Sequence, residues 1–146
     1  MLYKTPPPNF NPKFEVVSCF CEYGGEILLL QRQESKPQGK SWGVPAGKKD
    51  TTDKTLEAAM QRELKEETGI KVDEKKLKYF GQFFVRYDDY DFIYHIFHLV
   101  LPEKPIVQIR ETEHLGFMWV TPKEALEIDL IQDLDECIEL FYDVRK

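Results

Sequence analysis

The stretch Arg62-Glu63-Leu64-Lys65-Glu66-Glu67-Thr68-Gly69-Ile70 constrains the fold of this chain more than any other segment. Glu63, Glu66 and Glu67 stand at i, i+3 and i+4. On a helix that spacing puts three carboxylates on one side, about 5–6 Å apart at Cβ. Like charges so close repel, and a helix gains nothing by carrying them unless a cation sits among them. Carboxylate oxygens are the ligands that Mg²⁺ prefers. A solvated acidic helix face is the plain alternative, and the three glutamates alone do not decide between the two.

The residues before the helix add to the pattern. Trp42-Gly43-Val44-Pro45-Ala46-Gly47-Lys48 is a short apolar run broken by Gly and Pro, which reads as a strand end turning into a loop. Polar residues follow as far as Lys54. Thr55 is then the expected N-cap, with Leu56, Ala59, Met60 and Leu64 at helical spacing behind it. Gly69 is the expected helix stop, a left-handed position that glycine fills without strain. The unit reads strand, Gly-rich loop, acidic helix, Gly stop.

This unit resembles the Nudix box, G-x5-E-x7-R-E-U-x-E-E-x-G-U with U a bulky apolar residue. Gly47 is similar to the opening glycine, and Arg62 to Ile70 match the second half at every specified position. The resemblance is close over the box and loose elsewhere. It implies an α/β/α sandwich around a mixed β-sheet, where periodicity alone gives only α+β with a mixed sheet. It implies hydrolysis of a phosphoanhydride in a nucleoside diphosphate linked to another moiety, assisted by Mg²⁺ or Mn²⁺. Glu63, Glu66 and Glu67 are the expected metal ligands. The resemblance adds the main-chain carbonyl near Gly47 to that set and makes Arg62 a brace for the box. A bound divalent ion would screen the phosphate charge and lower the pKa of a bound water.

One departure matters. The box sets its glycine fourteen residues before the arginine, and here the gap is 62 − 47 = 15. Counted back from Arg62, the first box glutamate falls on Lys54; counted forward from Gly47, it falls on Asp53. An insertion within the helix would rotate the metal face by about 100°, so the extra residue belongs in the loop. Asp53 is then the expected partner of Arg62.

A general base is expected from outside the box, since carboxylates committed to a metal accept protons poorly. Glu111 and Glu113 precede the strand containing Trp119, and Glu113 is the favoured candidate. The expected catalytic set is therefore Arg62, Glu66, Glu67 and Glu113. Aromatic candidates for gripping a base are Phe84, Tyr87, Tyr94 and Phe97, although strand aromatics more often belong to a core.

The remaining chain reads as one mixed α/β unit. Residues 1–13 are expected to form an extended proline-rich arm, and residues 14–146 a single domain, a normal size for one. Strands are expected at 14–22 and 26–32, turned by Gly24-Gly25, then at 77–87, 92–101, 106–109 and 116–120. Thr121-Pro122-Lys123-Glu124 has the pattern of a helix start, and a last helix is expected from 130 to about 142. His95 and His98 should face opposite sides of a strand, and His114 should lie in a loop. None of the three is expected to be catalytic.

Composition excludes several functions. A formal net charge of −6 argues against a nucleic-acid polymer as partner. No run of about 18 apolar residues is present, and the N-terminus has no signal-peptide core, so no membrane is expected and the cytoplasm is. Cys19, Cys21 and Cys137 are expected as free thiols. The expected substrate is a small nucleotide, with nucleoside triphosphate hydrolysis in the MutT-like manner as the default. A non-catalytic nucleotide-binding module of the same fold, or an ADP-ribose or dinucleotide pyrophosphatase, is the alternative, and a homodimer is compatible with either.

Overall fold

In β2 (Pro12–Tyr23) and β3 (Glu26–Arg32), successive side chains point to opposite faces. Val17, Cys19, Cys21, Leu28 and Leu30 enter one core cluster, while Phe20, Ile27 and Leu29 enter another. Strands buried on both faces need a layer on each. The computed structural model, which describes residues 1–146, supplies both. α1 (Leu56–Thr68) covers one face through Ala59, Met60 and Leu64. α2 (Pro122–Ala125) and α3 (Leu134–Tyr142) cover the other through Ala125, Leu134 and Ile138. The result is the expected α/β/α sandwich.

The remaining strands are β1 (Leu2–Tyr3), β4 (Trp42–Gly43), β5 (Ala46–Lys48), β6 (Lys78–Arg86), β7 (Asp91–Val100) and β8 (His114–Val120). Their order is β1-β6-β7-β2-β3-β4, with β5 paired to β2 and β8 to β3. β2 and β7 run parallel, and the other pairs are antiparallel, so the sheet is mixed. β2 and β3 pair only beside their turn, Glu22 with Ile27 and Tyr23 with Glu26. Further along, β5 occupies that flank of β2, with Val16 opposite Lys48 and Ser18 opposite Ala46. The two strands thus splay into a fork with β5 lodged in it.

The local signals around α1 act as expected. The Thr55 hydroxyl accepts from the Ala58 N–H, and Gly69 ends the helix at φ 75°. The proline-rich N-terminal segment is tied to the sheet but is not extended throughout: it turns at Pro8-Asn9, with Asn9 at φ 59° and the Phe10 N–H donating to the Pro7 carbonyl at 3.2 Å. Leu2 and Tyr3 pair with Val85 and Phe84, and the Phe10 ring meets Phe84 edge-on at 5.3 Å.

Three expectations need correction. Residues 106–109 form no strand. The Gln108 N–H is taken by the Thr68 carbonyl at 2.8 Å, and Val107 and Ile109 cover the core from a loop. The last helix begins at Leu134, not at 130, because the Ile131 N–H bonds the Trp42 carbonyl (2.9 Å) and Asp133 adopts φ 71°. His114 opens β8 and is buried, where a loop position was expected. His95 and His98 do face opposite ways: His95 bonds Glu15 and Tyr79, while His98 bonds Glu22 beneath Phe141. No helix is long and apolar enough to cross a membrane.

Candidate active site

Arg62 organises the acidic helix. Its Nε and one terminal nitrogen donate to the two oxygens of Asp53 at 3.0 and 2.8 Å. That same terminal nitrogen donates to the Lys48 carbonyl at 3.1 Å. The other terminal nitrogen donates to Glu63 Oε1 at 2.8 Å and Glu66 Oε2 at 3.2 Å. One planar guanidinium therefore ties the loop of residues 48–53 to the helix, a task suited to its rigid fork of donors. Asp53 is buried and Lys54 exposed, so the aspartate takes the bracing role. Arg62 holds the Asp53 carboxyl down at about 2.

The three glutamates differ in surroundings. Glu63 is 12% exposed and Glu67 13%, whereas Glu66 is 42% exposed. The Glu63 carboxylate lies where a side chain on residue 47 would be, so a Cβ at Gly47 would run into it. That contact, not a special φ, is why this position takes glycine. Glu67 Oε1 accepts from the Ala46 N–H at 2.8 Å. Burial pushes Glu67 up to about 8, with repulsion from Glu63 and Glu113 adding to it, and burial also raises Glu63. Two desolvated carboxylates favour a proton or another cation.

No three His, Cys, Asp or Glu side chains converge on one point, because Arg62 claims Glu63 and Glu66 while Ala46 claims Glu67. The donor set still suits a hard divalent ion. Its ligands are carboxylates, two of them desolvated, and an Arg62 nitrogen already stands as a cation between Glu63 and Glu66.

A cleft of about 790 Å³ opens beside Gly47 and Glu67. Glu113 lines it and is 40% exposed, paired with Lys36 at 3.1 Å. Glu111 is exposed, and its carbonyl accepts from Gln33. Tyr87 and Tyr94 also line the cleft. Phe97 is fully buried in the core and Phe84 packs on Phe10, so neither is a contact residue there.

Sequence reasoning missed much of the lining. Lys13, Arg32, Lys36 and Lys48 bring four cations, and Phe14, Tyr90 and Phe92 extend the aromatic surface. Lys48 Nζ sits 4.2 Å from the centre of the Phe14 ring. His114 lines the cleft with its Nε2 3.8 Å from Glu67 Oε2, and desolvation lowers its pKa. No motif joins these residues. The one advance signal was the position of Tyr90, close to the candidate Tyr87 in the short connection between the strands expected at 77–87 and 92–101.

Comparison with known proteins gives a consistent picture. The NUDIX domain family matches residues 12–141. The CTP pyrophosphohydrolase of Escherichia coli (strain K12) is 29% identical over 133 residues, covering 90% of this chain and 93% of that protein. The crystal structure of the MutT protein from Methanosarcina mazei Go1 superposes with a TM-score of 0.76 at 25% identity, covering 91% of this chain and 95% of that one. The NUDIX domain of Shewanella oneidensis NrtR, solved with ADP ribose, superposes with a TM-score of 0.78 at 20% identity, covering 96% and 93%. The last of these is a likeness of fold.

Proposed function

The chain belongs to the Nudix family and is a hydrolase of pyrophosphate bonds, and on that premise we propose that it is a nucleoside triphosphate pyrophosphatase. Its products would be a nucleoside monophosphate and pyrophosphate. The observation that carries this reading is the composition of the cleft. Lys13, Arg32, Lys36 and Lys48 gather there on a chain whose formal net charge is −6. Such a local reversal of sign suits a polyphosphate tail, and the aromatic surface beside it suits a base. The name of the Escherichia coli relative, a CTP pyrophosphohydrolase, belongs to the same substrate class.

Glu63, Glu66 and Glu67, with the carbonyl near Gly47, are the residues that would hold Mg²⁺ or Mn²⁺. When bound, the ion supplies positive charge at the phosphates and acidifies a water. The protein's own groups do the rest. Arg62 and Asp53 hold the loop against the helix, so that Glu63 and Glu67 keep their positions. Arg32 and Lys36 orient the anionic tail. Glu113, a carboxylate in the same cleft, takes the proton from the attacking water, and Lys36 orients it.

The test is direct. Purified protein with Mg²⁺ or Mn²⁺ is offered ribo- and deoxyribonucleoside triphosphates, and pyrophosphate and monophosphate are measured. Turnover that Glu67→Gln removes supports the reading. Turnover of ADP-ribose or dinucleotides in place of triphosphates would replace it with a diphosphate-linked substrate. Nucleotide binding without any turnover would make the chain a binding module.

A further inference from the structure

His114 reaches the site through a bulge. Trp119 and Phe117 of β8 stand opposite Leu28 and Leu30, which belong to the core cluster on the α1 face of the sheet. Strict alternation would put residue 115 on that face next and His114 on the other. The register departs from it: Gly116 stands opposite Gln31, His114 opposite Arg32, and Leu115 is the extra residue between them. The bulge turns His114 to the α1 face, and bulges beside sites commonly re-aim a side chain in this way.

The imidazole delivered there is 7% exposed, yet neither ring nitrogen makes a hydrogen bond. Nδ1 is buried without a partner. Nε2 stands 3.8 Å from Glu67 Oε2, too far for a bond. Glu67 is left in the complementary state. Its Oε1 accepts from the Ala46 N–H at 2.8 Å, and its Oε2 accepts from nothing. Buried polar groups are rarely left unpaired, because each has given up its water. Here a donor and an acceptor face each other across a gap that a side-chain movement of about 1 Å closes. Glu67 is also the one glutamate of the three that Arg62 does not hold.

We propose that His114 is the positioning residue of Glu67: in the metal-loaded protein its Nε2–H donates to Glu67 Oε2. The inference rests on the reading of Glu67 as a metal ligand. With Oε1 held by Ala46, the second bond fixes the plane of the carboxylate and leaves each oxygen a lone pair for a divalent ion. Carboxylates that ligate metals are commonly hydrogen-bonded in turn, and loss of such a partner weakens metal binding by about 10- to 100-fold. The acidic helix then has two braces, Arg62 from within it and His114 from β8.

The experiment measures Mn²⁺ binding by calorimetry on the whole chain without nucleotide, so no turnover is involved. His114→Leu removes both nitrogens and should weaken Mn²⁺ at least about tenfold. His114→Gln keeps an N–H donor at the reach of Nε2 and should stay within about threefold of the unaltered protein. His114→Asn, whose amide reaches only as far as Nδ1, should behave as His114→Leu. Unfolding in metal-free buffer separates positioning from simple packing. His114→Leu removes an unpaired buried polar group, so its Tm should be no lower than that of the unaltered protein. Equal Mn²⁺ affinity in His114→Leu and the unaltered protein overturns the role, and so does a His114→Gln that loses as much as His114→Leu. A His114→Leu variant that has already lost stability without metal overturns it as well. If triphosphates are still hydrolysed in any of these cases, the positioning role alone falls and the proposed function stands. If the unaltered protein binds no Mn²⁺, the metal reading of Glu67 falls and takes the role with it.

Discussion

Two parts of the candidate site are built in contrasting ways. At the α1 end, the polar groups are tied together: Arg62 alone bonds Asp53, Glu63, Glu66 and the Lys48 carbonyl. At the other end, the charged contact is a half-exposed pair, Lys36 with Glu113, among aromatic rings from the β6–β7 turn. A tied set of charges keeps its geometry before substrate arrives and loses little on binding. A set of single contacts can shift with its ligand. The contrast teaches that the acidic helix is held stiffly while Glu113 and the aromatic surface are left free to shift.

Substitutions can break or sharpen that contrast. The largest effect is expected from Glu67→Gln, which removes charge from the stiff end without changing shape. It should lower kcat by at least about 100-fold with the fold intact, and Glu66→Gln should act in the same direction. A double mutant that stays active would sink the site. Glu113→Gln comes next, with a fall in kcat of about tenfold to 100-fold at little-altered KM and loss of the acidic limb of the pH–rate profile. Glu111→Gln should leave both unchanged. If Glu113→Gln keeps full rate and pH dependence, the proton acceptor lies elsewhere.

Gly47→Ala forces the Glu63 carboxylate away and should cost about 1–3 kcal/mol of stability, together with activity, as measured by denaturant unfolding and initial rates. Asp53→Ala should cost about 1–2 kcal/mol at neutral pH, since Arg62 is partly exposed and screened. This cost should depend on pH with a definite sign. Arg62 depresses Asp53 to about 2, so between about pH 2 and 4 the unfolded chain binds more protons than the folded one. The pair's contribution is present above about pH 4 and is lost as pH falls through about 2. The difference between Asp53→Ala and unaltered protein should shrink accordingly. The smallest effect is expected from Lys54→Ala, within about 0.5 kcal/mol. Equal losses at 53 and 54 would count against the register of the loop.

The stiff end was legible in the sequence because its parts are neighbours in the chain. Helical spacing placed the glutamates, Thr55 and Gly69 marked the helix ends, and the count from Gly47 to Arg62 left only positions 53 and 54 for the brace. The other end was not legible. Phe14, Arg32, Lys36, Tyr90 and His114 come from segments brought together by the parallel pairing of β2 with β7 and by β8 against β3, and no local pattern announces such a meeting. The sequence places His114 in a loop, whereas a bulge opposite Arg32 lets β8 begin there. Residues 106–109 have the β-branched composition of a strand, but the Gln108 N–H goes to the Thr68 carbonyl at the end of α1 and not to a neighbouring strand. Composition without a neighbour does not make a strand.

The fork between β2 and β3 has a consequence for how the molecule breathes. Along Val16–Ser18, β2 is held on one side by the long ladder to β7 and on the other by the three residues of β5. Such a short insert has few hydrogen bonds to lose when it opens. Its amides at Gly47 and Lys48 should exchange with solvent well before those of Cys19 to Glu22, while the rest of the sheet stays closed. The strand that carries the glycine of the box would then detach before the long ladders beside it. The enzyme could lose its chemistry through a local opening long before it unfolds, and a ligand that seals the fork would slow that loss without touching global stability.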